Sequence, residues 1–202
     1  MVSFRNILTG ALALTAPIVA TLRELTTKSQ ALQGPANSIT IINGPLIVIG
    51  LGPFPPIIAG FTEIITITSS AIPMLSDTPT ITDVADRKAV AEAFRDFVRV
   101  HQVLLNILIG KSGLFSTVPV IGAPVAAVLR QLESVVDSAA FAIIDIVGGQ
   151  EGVPNQAQSL SATIGVAIEK YEGLSLTKRE NVIPAAAIKA APIGRRAEMI
   201  AA

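Results

Sequence analysis

The sequence contains no cysteine and no tryptophan, and it has a single histidine, His101. Without cysteine there is no disulfide, so the stability of the fold must come from a packed apolar core. A single histidine excludes a metal site built from several imidazoles. Any catalytic arrangement that depends on histidine would have to use His101.

Charged residues are also scarce, at 15% of the 202 residues, where roughly 25% is ordinary for a soluble domain. Lys+Arg and Asp+Glu are balanced at 15 each, so the chain has no basic excess and nucleic acid is not expected as a partner. Hydrophobic residues reach 50% and the mean hydropathy is +0.62. We therefore expect one unusually apolar domain with a tail.

Residues 1–20 have the pattern of a secretory signal peptide. Arg5 precedes an apolar run from Ile7 to Val19, and the small residue Ala20 occupies the expected cleavage position. We predict that this segment is removed and that the chain is secreted. The less favoured alternative is an N-terminal helix that belongs to the fold.

Two helices are predicted in the first half of the remaining chain. Apolar residues recur at steps of three and four from Thr21 to about Asn43, with a kink expected at Gly34–Pro35. The one polar member of that stripe is Ser29. A second stripe begins at Ile57 or Ile58 and ends at Leu75, although 65–68 also alternates like a strand.

A helical hairpin is predicted from Val84 to Gly148. Its first helix should begin after a cap at Thr82 or Asp83 and end near Ile109. Its second helix should begin near Pro119 or Pro124 and end at Gly148–Gly149. Phe141 lies away from the main apolar stripe of that helix, and it is expected in the core, with contact to a neighbouring helix or a ligand as the alternative. Each helix has one apolar face, so other helices or a ligand must cover the pair.

A shorter fifth helix is predicted after Pro154, and the bundle is expected to end at residue 172. Residues 173–202 read as a flexible tail, which contains the dibasic pairs Lys178–Arg179 and Arg195–Arg196. Whether a protease cuts at these pairs stays open. The predicted fold is therefore an all-α bundle of four or five helices over residues 21–172, with an apolar interior.

A transmembrane span is not expected between Lys28 and Asp77, although Glu63 is the only charge between them. A span needs roughly 20 unbroken apolar residues, and the prolines of this region interrupt such a run. Glu63 is interpreted as lying on a solvated helix face.

No motif in the chain points to catalysis. There is no Gly-x-Ser-x-Gly elbow around a nucleophile, and Gly110-Lys111-Ser112 lacks the earlier glycine of a phosphate loop. His101 lies on the apolar face of its helix, which favours a buried imidazole that is hydrogen-bonded to a neighbour or serves as a polar anchor in a ligand pocket. We expect no enzyme activity, no metal and no cofactor.

Two consecutive runs carry a family resemblance. Residues 97–115 contain a helix that ends in Leu-Ile-Gly-Lys, and residues 125–141 contain Leu-x-x-Leu-Glu and end at Phe141. Over residues 21–147 this order resembles the fungal hydrophobic surface binding protein A and cell wall galactomannoprotein family. The resemblance implies a secreted helical bundle that holds fatty acids or adsorbs to hydrophobic surfaces, with the cell wall as one location. Pro35 and the apolar loop 44–56 depart from that pattern.

The predicted function is binding of a fatty acid, another lipid or a hydrophobic surface, without turnover. His101, Thr68 or Ser69 is expected to hydrogen-bond the head group. The predicted lipid-binding residues are Phe61, Ile65, Thr68, Ser69, Phe94, Phe97, His101, Leu105, Val128, Leu132 and Val135. The alternative is a membrane-active or host-directed effector in which Leu46 to Phe61 inserts into bilayers. Weak self-association is left open.

Overall fold

The computed structural model describes residues 4–40, 42, 46, 51–115, 121–149 and 152–180, with side chains described from residue 15 onward, except at residue 115 and residues 174–180. Within these ranges there are five α-helices and no strand. The predicted all-α bundle is confirmed. The helices are α1 (Phe4–Asn37), α2 (Phe54–Asp77), α3 (Val84–Lys111), α4 (Gly122–Val147) and α5 (Val153–Glu180).

Helix α1 passes without a break through the predicted cleavage position after Ala20. Thr15 and Ile18 of this helix are buried, so the end of the predicted signal peptide is part of the packed bundle in this structure. Cleavage there stays a prediction. The helix contains Pro35 and ends at Asn37 and not at Asn43.

Helix α2 is helical throughout, so the strand alternative at residues 65–68 is wrong. Its start at Phe54 places Pro55 and Pro56 in the first turn, where a missing N–H costs nothing. On its exposed side, the hydroxyls of Thr62, Thr66 and Ser70 donate to the carbonyl oxygens four residues earlier, at 2.8–2.9 Å. One buried stripe faces the bundle: Phe54, Ile57, Phe61, Ile64, Thr68, Ala71 and Leu75.

The predicted cap of α3 is confirmed at Asp83, whose side chain accepts a hydrogen bond from the Asp86 backbone N–H at 2.9 Å. We expect Asp83→Ala to lower the free energy of unfolding by about 1 kcal/mol, because the first turn then loses its acceptor. Urea denaturation would measure the loss. Asp83→Asn keeps an acceptor oxygen and should stay within a few tenths of a kcal/mol of the wild type; equal losses in both variants would contradict the capping role.

The later helix boundaries differ from the predicted ones in two places. Helix α3 continues through Gly110 to Lys111 and is followed by a 3₁₀ turn, Ser112–Phe115. The end of α4 is as predicted, with Gly148 and Gly149 in left-handed conformations at φ 68° and 69°. Helix α5 runs past Gly173 to Glu180, so the predicted tail begins too early. The remaining predicted tail, 181–202, lies outside the described residues.

The five helices form a closed ring. Helix α1 packs against α2 and α3, α4 packs against α2 and α5, and α3 packs against α5. The predicted α3–α4 hairpin is wrong as a packed pair, because these helices lie across the ring and touch little. At an axis spacing of about 10 Å, the centre of a five-helix ring is about 8.5 Å from each axis, against about 7 Å in a four-helix ring. Large side chains fill that space, including the fully buried Tyr171, Phe61 and Phe94.

Candidate functional site

The centre of the candidate site is His101 on α3, which is fully buried. Its Nδ1 lies 2.8 Å from Ser29 Oγ on α1. The imidazole stands edge-on to the ring of Phe61 on α2, with the two ring centres 6.1 Å apart. The centres of the His101 and Phe97 rings are 5.2 Å apart. Three helices therefore converge on one imidazole, and two aromatic rings enclose it.

The hydrogen bonds around His101 determine which nitrogen carries the proton. Ser29 Oγ lies 2.8 Å from the Leu25 carbonyl oxygen, a separation that two oxygens adopt when a proton lies between them. The single hydroxyl proton of Ser29 is then used, so Nδ1–H of His101 donates to Ser29 Oγ. Nε2 is left as a bare acceptor, and no described residue donates to it.

Burial also decides the charge of His101. Desolvation lowers the pKa of the imidazole from 6.5 to about 4, because no charged group offsets the loss of water. The ring is therefore neutral at pH 7. A buried acceptor without a partner costs about 1–3 kcal/mol. A ligand that donates a hydrogen bond to Nε2 would remove this cost and would therefore bind more tightly.

The predicted lining residues come from α2, α3 and α4. Eight of them are buried, namely Phe61, Thr68, Phe94, Phe97, His101, Leu105, Val128 and Leu132. Ile65 and Val135 are partly buried and pack against the same core.

The predicted head-group partners differ in burial and in the hydrogen bonds that they already make. Ser69 is exposed, so it faces away from the interior and its assignment to the head group is wrong. Thr68 is buried, but its hydroxyl donates to the Ile64 carbonyl oxygen at 2.8 Å. The partner that the site prediction omitted is Ser29. Its position as the polar member of the α1 stripe was the available signal.

The seam between α1 and α2 beside this site is tightly closed. A Cβ atom at Gly60 would lie 2.3 Å from Leu32 Cδ2, so only glycine allows this approach without a shift of Leu32. Lys28 forms an ion pair with Glu63 across the same seam, and this hydrogen bond raises the pKa of Lys28. Glu63 is thus on the solvated face, as predicted.

A second apolar region is a surface groove of about 450 Å³ between α4 and α5. Phe141, which was expected in the core, is 68% exposed at its edge. Phe141 lies outside the buried stripe of α4, and the described part of α5 leaves most of its side chain exposed. The other lining residues are Asp137, Ala140, Ile144, Pro154, Ala157, Gln158, Ser161 and Ala162.

Helix α2 is, among the described residues, one helix long and apolar enough to cross a membrane, with a mean hydropathy of 1.5 in its best window. The expectation that prolines interrupt every such run is wrong, because Pro53, Pro55 and Pro56 precede the helix or lie in its first turn. Only 28% of that window is buried in the bundle, along the stripe that includes Phe61 and Ile64. Length and composition alone are weak evidence for a span.

The Ser29–His101 pair has the atoms of a hydrolytic dyad but not its arrangement. The Ser29 proton points to Leu25, both residues are fully buried, and no carboxylate orients the imidazole among the described residues. The described residues also contain no group of three or more His, Asp or Glu side chains that could hold a metal ion. The geometry fits binding better than acyl transfer.

A solved structure has the same arrangement of helices. It is AfMP4p, a mannoprotein of Aspergillus fumigatus, in complex with palmitic acid. The superposition has a TM-score of 0.67 and covers 78% of this chain and 99% of AfMP4p. The two chains share a fold. The sequences are 19% identical, and neither a family model nor a curated protein matches this sequence.

Proposed function

We propose that this protein binds one fatty acid between its helices, with the head group at His101 Nε2, and that it does not turn the ligand over. The observation that carries the proposal is the fully buried Nε2 atom, which has no partner among the described residues. The fold shared with AfMP4p, whose structure contains palmitic acid, supports the same class of ligand.

The acyl chain is assigned to the space between α3 and α4. These two helices face each other across the ring with little direct contact, and the predicted lining residues come from them and from α2. In the structure those side chains fill the interior, so ligand entry requires them to move. Burial of about 0.8 kcal/mol per CH₂ gives a sixteen-carbon chain roughly 12 kcal/mol, against an association cost of about 4–15 kcal/mol. Micromolar binding follows if that cost is near its lower end.

Secretion, a location in the cell wall and membership of the hydrophobic surface binding protein A and galactomannoprotein family are part of the same proposal. They rest on residues 1–20 and on the order of motifs in residues 97–141. A second candidate function is adsorption to hydrophobic surfaces, which the exposed Phe141 and its groove favour. The membrane-active alternative predicts leakage from lipid vesicles, and the apolar length of α2 is its support.

Native mass spectrometry with lipid extraction would test the carrier function on the full chain expressed in a secreting eukaryotic host. We expect about one fatty acid per chain, because there is one His101 to receive a head group. Leu132→Phe adds bulk to the buried interior and should weaken binding at least tenfold. Val103 is about half exposed on the outer side of α3, so Val103→Phe is the matched control and should bind normally.

Circular dichroism would establish that both variants keep their helices. A chain that carries no lipid, ignores added fatty acid and still coats hydrophobic beads would leave surface adsorption as the function. If Leu132→Phe and the wild type bind fatty acid equally well, the acyl chain does not lie in the interior of the bundle.

A further inference from the structure

The directions of the hydrogen bonds at the buried site bear on the protonation state in which a ligand binds. We propose that the site takes up a fatty acid in its un-ionised form, so that each ligand brings one proton with it into the bundle. The inference rests on the proposed function, and it concerns the linkage of that site to pH. The ligand O–H donates to His101 Nε2; no covalent bond forms or breaks in the protein.

The direction of the existing hydrogen bonds requires a donor at this position. Ser29 Oγ donates to Leu25 and accepts from His101 Nδ1–H, which leaves only a lone pair at Nε2. A carboxylate has only acceptor lone pairs, so it would face Nε2 without a proton between them. A carboxylic acid supplies that proton, and so does an aliphatic alcohol. A methyl ester has no donor and leaves Nε2 unpartnered.

The described residues in contact with His101 carry no charge that would compensate a buried anion. The ring contacts of His101 are with Phe61 and Phe97, and its hydrogen bond is with a neutral serine. Moving an unpaired carboxylate into such a place is strongly unfavourable. Protonation of the ligand removes the net charge. The complex then holds one proton more than the free protein and the free carboxylate.

The titratable side chains that the structure describes on the helices around His101 form no hydrogen bond or ion pair with it. On α1 and α2, Lys28 pairs with Glu63 at the surface. On α5, Tyr171 is buried but donates to the Leu108 carbonyl oxygen, and Glu172 pairs with Arg130 of α4. The other exposed titratable groups on the described parts of these helices are Arg23 and Glu24 on α1, Asp77 on α2, Lys88, Glu92, Arg95, Asp96 and Arg99 on α3, Asp145 on α4, and Glu169 and Lys170 on α5.

The half-buried titratable groups among the described residues likewise have no hydrogen bond or ion pair with the imidazole. Lys111 of α3 donates to the Ile39 carbonyl oxygen, and Asp86 and Arg87 lie in the first turn of α3. On α4, Glu133 and Asp137 are partly buried. Burial alone accounts for the lowered pKa of His101, which agrees with the absence of a charged neighbour.

The linkage sets the sign and the size of a pH effect on binding. Above about pH 5 a free carboxyl group is ionised, while free His101 is neutral. Binding then takes up one proton, so the affinity should fall about tenfold for each unit of rising pH, or about 100-fold between pH 5.5 and 7.5. Acidic surroundings would load the protein, and neutral surroundings would unload it.

Isothermal titration calorimetry of the full chain with three ten-carbon ligands would test this linkage. Decanoic acid should bind with uptake of about one proton, measured at pH 7 in buffers of different ionisation enthalpy, and with the stated pH dependence. Decan-1-ol should bind with no proton uptake and no pH dependence. Methyl decanoate should bind at least about tenfold more weakly than the alcohol, because Nε2 stays unpartnered.

Two variants separate the site from the rest of the interior. His101→Leu should bring the alcohol and the ester to equal affinity, because the acceptor is gone. Ser112→Ala removes a buried hydroxyl outside the predicted lining, one that donates to the Ile109 carbonyl oxygen, and should leave the order of the three ligands unchanged. Thermal melting would establish that both variants are folded.

The outcomes distinguish this inference from the function on which it rests. The inference would be overturned if decanoic acid binds without proton uptake and its affinity does not change between pH 5.5 and 7.5. The carrier function would then remain, with the head group in solvent. Unchanged ligand order in His101→Leu would also overturn it. If none of the three ligands binds, the carrier function itself fails and the inference falls with it.

Discussion

Lowering the pH from 7 to 4 should destabilise the bundle by about 3 kcal/mol through His101 alone. Burial lowers the pKa of the folded imidazole to about 4, against 6.5 for an ordinary histidine. The unfolded chain therefore binds a proton that the folded chain refuses. The contribution is fully present above pH 6.5 and is lost as the pH falls through the folded pKa. Urea denaturation at intervals between pH 7 and pH 4 would measure it.

His101→Leu is the control that isolates this effect, since the surface carboxylates titrate in both proteins. Ser29 keeps its bond to the Leu25 carbonyl oxygen in the variant, so no new buried polar group is orphaned. The variant should match or exceed the wild type at pH 7 and should exceed it by about 3 kcal/mol at pH 4. Parallel stability curves for the two proteins would show that the imidazole does not resist protonation.

Phe61→Ala should lower the free energy of unfolding by about 3–5 kcal/mol. Phe61 is fully buried at the point where α2 meets His101, and its removal leaves a cavity in the packed core. Urea denaturation at pH 7 would measure the loss.

The matched control is Phe141→Ala on α4, where the same atoms are removed from a side chain that is 68% exposed. Its stability should stay within about 0.5 kcal/mol of the wild type. A similar loss in both variants would mean that burial is not what distinguishes the two phenylalanines.

The helices were predictable because the apolar residues of each buried face recur at helical spacing within a single stretch of the sequence. The stripe of α2 and the cap at Asp83 appear in the structure where periodicity and capping residues placed them. The pairing of helices was not predictable in the same way. A stripe indicates that a face is covered but not which helix covers it, and so the expected α3–α4 pair became two helices on opposite sides of a ring.

The candidate site shows the same division. The position of His101 on an apolar face correctly indicated a buried, hydrogen-bonded imidazole. Its partner could not be identified from α3, because Ser29 lies 72 residues earlier in the chain and the contact depends on how α1 packs. Ser69 failed for a local reason, since one residue along a helix turns a side chain by about 100° and moves it from the buried face at Thr68 to solvent.

The hydroxyls on the outer side of α2 bear on how firmly that face holds water. Each of these hydroxyls, on Thr62, Thr66 and Ser70, donates its one proton to a carbonyl oxygen of the same helix, so it cannot also donate a hydrogen bond to the solvent. A face of this kind loses fewer hydrogen bonds to water when it dries than one with free hydroxyls. The dehydration penalty of α2 is thus smaller than its count of threonines and serines would suggest.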